Sequence, residues 1–267
     1  MRIASLGHAV FAATMIAIGV LGLIKGNFAA IWQPVPRWVP ARELVAYLCA
    51  FIALATGAGL LWPRAAGAAA RVLLAYLLLW MLLFKVPHIL DAPAVAVSYE
   101  SWGETAVLVA GAWALYARLA TDWDRQRFDF AIGDSGLRIA RMIYGLALIA
   151  FGVAHFAYVN ETAALVPRWL PAHVGWVYLT GSTYVAAGVA VLTGAYARLA
   201  ASLSALQIGM FTLLVWLPIV ATGHADASQW DEFVISWAMT ASAWVVADSY
   251  RRRDRAKAME PAAGPQA

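Results

Sequence analysis

Lys85, in the run Leu-Leu-Phe-Lys-Val-Pro-His, places an ammonium in a segment otherwise fit for hydrocarbon. A charge is costly there and marks a function or a partner. His88 follows at i+3 on the same helical face. Pro87 between them has no N–H to donate, which leaves a backbone carbonyl free to bind something else. Glu104 is the natural counter-charge for Lys85, and Glu232 stands in the same Trp-x-Glu context later in the chain. His155, in Gly-Val-Ala-His-Phe, completes the set. Brought together, these groups would hold the polar head of a ligand such as a quinone. Each also has a plainer role. Lys85 can snorkel to an interface and His88 can cap its helix, Glu104 and Glu232 suit the positive end of a helix dipole, and a lone membrane histidine often only packs.

Other chemistries are poorly served. Haem would need His88 and His155 to face each other as axial ligands, and without a repeated His pair in the apolar segments haem is not expected. His173, His224, Asp226 and Asp231 lack ligand spacing, so no metal site is expected. The single Cys49 excludes an intramolecular disulfide or a Cys-x-x-Cys centre. No Gly-rich phosphate loop, activated serine or paired-carboxylate motif stands out. Two loops, Pro36-Arg37-Trp38-Val39-Pro40 and Pro167-Arg168-Trp169-Leu170-Pro171, combine stiff prolines with an amphipathic Trp. Trp38 and Trp169 suit anchoring at lipid headgroups. Arg37 and Arg168 could instead draw an anionic headgroup or substrate beneath a lid.

The elements that must position these residues are membrane helices. Hydrophobic residues make up 63% of the chain and charged ones 13%, far from the roughly 25% charge of a soluble domain. Apolar runs of spanning length predict helices at 4–24, 44–62, 71–90, 104–120, 139–158, 174–193, 200–221 and 232–250. The fold class expected is therefore an all-α integral membrane protein of eight transmembrane helices. The N-terminal run after Arg2 is expected to persist as a helix rather than be removed as a signal peptide.

An internal repeat organises these helices into two parallel-repeat four-helix bundles. Val35-Pro36-Arg37-Trp38-Val39-Pro40-Ala41 returns 131 residues later as Val166-Pro167-Arg168-Trp169-Leu170-Pro171-Ala172. The same displacement relates Tyr47 to Tyr178, Gly57 to Gly188, Pro87 to Pro218 and Ala112-Trp113 to Ala243-Trp244. Lys85 falls on Trp216, and a slightly larger shift puts His155 on Gly22, so any paired sites have diverged. The units are 1–120 and 139–250. Between them 121–138 is a charged linker, expected to form an interfacial helix on the cytoplasmic side, and 251–267 is a basic, then disordered tail.

Fourteen Lys and Arg residues fall on one side of these spans and five on the other. The positive-inside rule then puts both termini in the cytoplasm and the chain in a bacterial-type inner membrane. The same bias accounts for the pI of about 9.3, so a nucleic-acid partner is not expected.

Gly-Val-Ala-His-Phe, the Val-Pro-Arg-Trp-Leu-Pro-Ala loop, the Pro-His ending the third helix and Trp-Gly-Glu opening the fourth together make each half resemble the DoxX-like membrane family. The resemblance covers nearly the whole chain twice. It implies a four-helix membrane unit serving as an accessory of redox systems, thiosulfate:quinone oxidoreductase among them. It carries no catalytic residues across, and the paired cysteines of related membrane thiol oxidoreductases are missing. Three readings stay open: a subunit of a membrane redox or maturation complex, binding a quinone or lipid near Lys85, His88, Glu104, His155 and Glu232; a carrier or channel for a small molecule; and a scaffold docking other membrane proteins through small-residue faces such as Gly57, Gly59 and Gly188. The sequence leaves open whether the chain is an enzyme and what its oligomeric state is.

Overall fold

The computed structural model describes residues 5–32, 35–36 and 38–259, with backbone alone for Ala30 and 252–259. Eight long helices account for most of them: α1 Leu6–Lys25, α2 Arg42–Leu61, α3 Ala66–Asp91, α4 Ala96–Leu119, α5 Gly133–Ala157, α6 His173–Thr193, α7 Ala197–Ala221 and α8 Ala227–Met259. Six of these, all but α4 and α8, are long and apolar enough to cross a membrane. Large apolar side chains stand exposed around the bundle, Leu44, Phe51, Leu79, Leu146, Leu179 and Leu206 among them. Such a surface is built for lipid contact rather than water, and it marks the chain as a membrane protein.

α4 and α8 depart from that pattern because of where they lie. They pack against each other at the centre of the bundle. Thr105–Ala112 of α4 is an unbroken buried stretch, and Ser236, Ser242 and Ser249 of α8 are buried with it. A helix enclosed by protein can carry polar groups that a lipid-facing helix cannot. Gly111 lets the two come close: a Cβ there would lie 2.9 Å from Ser242 Cα.

The ring around this pair closes across the two halves. Helices adjacent in sequence pack on one another, while α1 packs on α8 and α5 packs on α4. The halves are thus interlocked rather than closed as two self-contained four-helix bundles. Trp237 Nε1 of α8 donates to Thr14 Oγ1 of α1 at 3.1 Å. Arg118 of α4 donates to the Asp248 carbonyl at 2.9 Å. Arg141 of α5 donates to Ser249 Oγ and O, at 3.0 and 2.8 Å, and lies 3.8 Å from the Tyr250 ring centroid. The small residues proposed as docking faces are used inside the chain. Gly57 meets Ala12 and Ile16 of α1, Gly59 meets Ala69 of α3, and Gly188 meets Gly145 and Ile149 of α5.

Four helices start five or more residues before their apolar runs, α3 at Ala66 rather than 71 and α5 at Gly133 rather than 139 among them. α4 begins at Ala96 rather than 104, and α8 at Ala227 rather than 232. At α8 the start is set by a reciprocal cap: Asp226 Oδ1 accepts from Gln229 N at 2.8 Å, and Gln229 Oε1 accepts from Asp226 N at 3.0 Å. Glu104 and Glu232 therefore lie inside their helices, and the dipole account of them, which applies only to a first turn, does not hold. α8 also continues beyond 250 to Met259, and residues 260–267 lie outside the described ones.

The linker is less helical than expected. It holds a one-turn helix, Asp122–Arg125, and a 3-10 turn, Asp129–Ala131, and α5 starts at Gly133 rather than 139. Its fixed point is Asp124, whose side chain is fully buried. Asp124 accepts from Thr121 N and Oγ1 (2.8 and 2.6 Å), Arg71 (2.7 Å) and Tyr116 Oη (3.1 Å). Burial alone would raise the carboxyl pKa. The hydrogen bonds from Thr121, Arg71 and Tyr116 outweigh it and hold the group at about 2.

α3 and α7 share one irregularity. Each contains a π segment, Met81–Lys85 and Thr212–Trp216, in which Val86 N donates to Met81 O and Leu217 N to Thr212 O. Pro87 and Pro218 follow directly. A proline breaks the i→i−4 ladder, and the widened turn re-satisfies part of it. Ala41 and Ala172, 131 residues apart, are both left-handed, with φ of 46° and 57°, just before α2 and α6.

Candidate functional site

Lys85 closes the widened turn of α3 and is 2% exposed. Its Nζ donates to Ser101 Oγ at 2.9 Å, and its charge acts on Glu104 one turn farther along α4. Glu104 in turn lies within electrostatic reach of Glu100 and Glu232. These three carboxylates, with His155, Tyr184 and Ser236, line a chamber of about 80 Å³ enclosed by α4, α5, α6, α7 and α8. With one ammonium beside three carboxyl groups the chamber is acidic, and Glu232 is exposed at its edge.

His155 is oriented by its own helix. Nδ1 lies 2.8 Å from the Phe151 carbonyl, which only an N–H can satisfy, so Nε2 is the acceptor of the neutral ring. The ring meets the edge of Tyr184 at 5.4 Å between centroids, and Tyr184 meets Phe151 at 5.8 Å.

His155 and Tyr184 also line a second, apolar cavity of about 850 Å³ between α6 and α7. It extends from Trp169 and Leu170 to Tyr196. Along α7 its wall runs from Tyr196 to Val215, about 30 Å at the helical rise of about 1.5 Å per residue. Leu199, Leu203 and Leu206 on its flank are each more than half exposed, so the cavity opens sideways to whatever surrounds the bundle. Several of its polar groups are paired. Thr183 Oγ1 donates to Gln207 Oε1 at 2.7 Å, Gln207 Nε2 donates to Thr180 O at 3.1 Å, and Ser204 Oγ lies 2.9 Å from Tyr144 Oη.

The structure brings together Glu104, His155 and Glu232, with Lys85 behind Glu104. It does not bring in His88, which is exposed on the last turn of α3 and lines neither cavity. Trp169 is exposed and stands at one end of the large cavity. Arg168 is exposed beside it. Trp38 is exposed with its ring 6.0 Å from Phe84, and Arg37 lies outside the described residues. Among the described residues no three His, Cys, Asp or Glu side chains are grouped to hold a metal ion.

Glu100, Tyr184, Gln207 and Ser236 went unread in the sequence. Glu100 carried a usable signal, since it precedes Glu104 by one i,i+4 step and shares its face. The other three look like ordinary polar residues of a membrane helix until the neighbouring helices are placed.

Residues 144–247 match the family model described as a domain of unknown function (DUF8561). That stretch runs from within α5 to within α8 and contains every residue that lines the large cavity. No curated protein and no solved structure matches the chain.

Proposed function

We propose that the chain takes up an amphipathic molecule of the bilayer, quinone-like or lipid-like, with its apolar body between α6 and α7 and its polar head among His155, Glu100, Glu104 and Glu232. The observation that carries this reading is the junction of the two cavities. The apolar one, about 850 Å³, and the acidic one share His155, Tyr184 and Phe211 in their walls. A long greasy space with a few polar groups at one place is how a protein orients such a ligand. His155 Nε2 can accept a hydrogen bond from a hydroxyl of the head, and Tyr184 can form a wall for a ring.

This site belongs to a larger proposal. All eight long helices span an inner membrane with both termini cytoplasmic, as two tandem DoxX-like units, and the protein serves a membrane redox or maturation complex as an accessory subunit. The recurrence of the π segments and of the left-handed alanines at a displacement of 131 favours the tandem reading. The central position of α4 and α8 explains how spans could be as polar as these two. The excess of Lys and Arg on the linker side supports the orientation.

The test is mass spectrometry of small molecules retained after purification in native lipid, comparing wild type with His155→Phe and Glu104→Gln. A quinone or lipid at near-unit stoichiometry in wild type, reduced at least tenfold in either variant, is the expected result. Equal retention in all three removes the chamber from the site.

A further inference from the structure

The groove between α2 and α3 stands to the first half as the large cavity stands to the second, and it is filled. Trp32, 1% exposed, lies with its ring 4.8 Å from Tyr76 and 5.4 Å from Trp80. The stack continues to Phe84, 4.6 Å from Trp80. Trp80 Nε1 donates to the Trp32 carbonyl at 3.2 Å, which holds the short 3-10 turn Ala30–Trp32 against α3. Trp32 Nε1 is itself buried without a hydrogen-bond partner among the described residues. Shape, then, and not polarity keeps this indole in place.

Displaced by 131 residues, Trp32, Tyr76, Trp80 and Phe84 become Ala163, Gln207, Phe211 and Val215. The last three line the large cavity. An indole has given way to a methyl group and a phenol to a carboxamide, and the polar tip of Gln207 is turned to Thr180 and Thr183. Gln207 lines the cavity and Ala163 adjoins the lining residue Thr162, so the volume missing from those two positions borders it.

Building on the tandem, ligand-binding reading above, we infer that the chain has one ligand site and not two. The first groove carries its own occupant, the Trp32–Tyr76 plug, and the second groove is open to a single flexible hydrocarbon chain. Trp32 and Ala163, with Tyr76 and Gln207, decide which groove binds. The sideways opening past Leu199, Leu203 and Leu206 fits a chain drawn from the bilayer, and the roughly 30 Å wall fits an extended chain rather than a compact ring system.

Octadecanol carrying a mid-chain diazirine, in proteoliposomes of phosphatidylethanolamine and phosphatidylglycerol, reports by photolabelling and peptide mapping which residues an alkyl chain reaches. Wild type should label at Ser204 and Gln207, and not at Leu73 and Leu77, both fully buried in the first half. Trp32→Ala/Tyr76→Gln should raise labelling at Leu73 and Leu77 at least tenfold. Should that variant fail to fold, the converse Ala163→Trp/Gln207→Tyr decides, with labelling at Ser204 expected to fall at least tenfold. Labelling of both grooves in wild type, none at Ser204 in wild type, or unchanged Ser204 labelling in the converse variant overturns the inference. A wild type labelled at Ser204 alone that retains no quinone or lipid defeats the functional reading and leaves the plug intact.

Discussion

At the scale of single residues, Asp124 gives the sharpest prediction because its partners are all identified. Its carboxyl is held at about 2, below the unfolded value of roughly 3.9. A depressed carboxylate contributes stability that is complete above the unfolded pKa and is lost as pH falls through the folded one, a difference of about 2 kcal/mol here. Thermal unfolding in detergent should therefore show wild type losing stability between about pH 4 and pH 2. Asp124→Asn should be less stable by about 2 to 4 kcal/mol at neutral pH, since the amide replaces one of two accepting oxygens and removes the charge facing Arg71, and should lose less on acidification. A variant as stable as wild type at pH 7 would show that the linker contact contributes nothing. The candidate site was partly legible at this scale. Lys85, Glu104, His155 and Glu232 stood out because charge in an apolar run is conspicuous. Gln207 and Tyr184 did not, since what matters about them is the space beside them, and a space has no letter in a sequence.

At the scale of elements, the eight long helices were legible and several of their starts were not, α3, α4, α5 and α8 each beginning well before its apolar run. A hydropathy reading asks which segments suit hydrocarbon, and the first turns of α4 and α8 are too polar for it, the one carrying the buried Ser98 and the other the exposed Ser228 and Trp230. The capping box at Asp226 and Gln229 was visible in the sequence and would have moved the start of α8 to its true place. The loops before α2 and α6 give the prediction that belongs here. Ala41 and Ala172 adopt left-handed backbone without being glycine, at a cost of about 1 to 2 kcal/mol each. Ala41→Gly and Ala172→Gly should each raise the unfolding free energy by up to about 1 kcal/mol once the added freedom of the unfolded chain is counted. Chemical denaturation in mixed micelles reads this out. A clear loss of stability would mean that the methyl groups pack in a way the backbone angle does not indicate.

At the scale of the whole molecule, the interlocking was not legible, because equal spacing of motifs does not say which partner each helix selects. The interlocking is testable by splitting the chain. Residues 1–120 and 121–267 expressed separately should be degraded or aggregate, since α1 would lack α8 and α5 would lack α4. Expressed together, the two fragments should co-purify as one complex. A first fragment that is stable alone, with native-like resistance to protease, would mean that α1 can close on its own half.

The packing of α1 on α8 also sets an order of events during synthesis. α1 acquires one of its two main neighbours, α2, almost at once, and the other only when α8 has been made. Until then Glu100 and Glu104 of α4 lack the helix whose Glu232 and Ser236 complete their chamber. A premature stop anywhere before α8 therefore yields more than a protein missing its tail. It yields a bundle whose interior remains open, and the cell's membrane quality control would meet it as an unfinished chain.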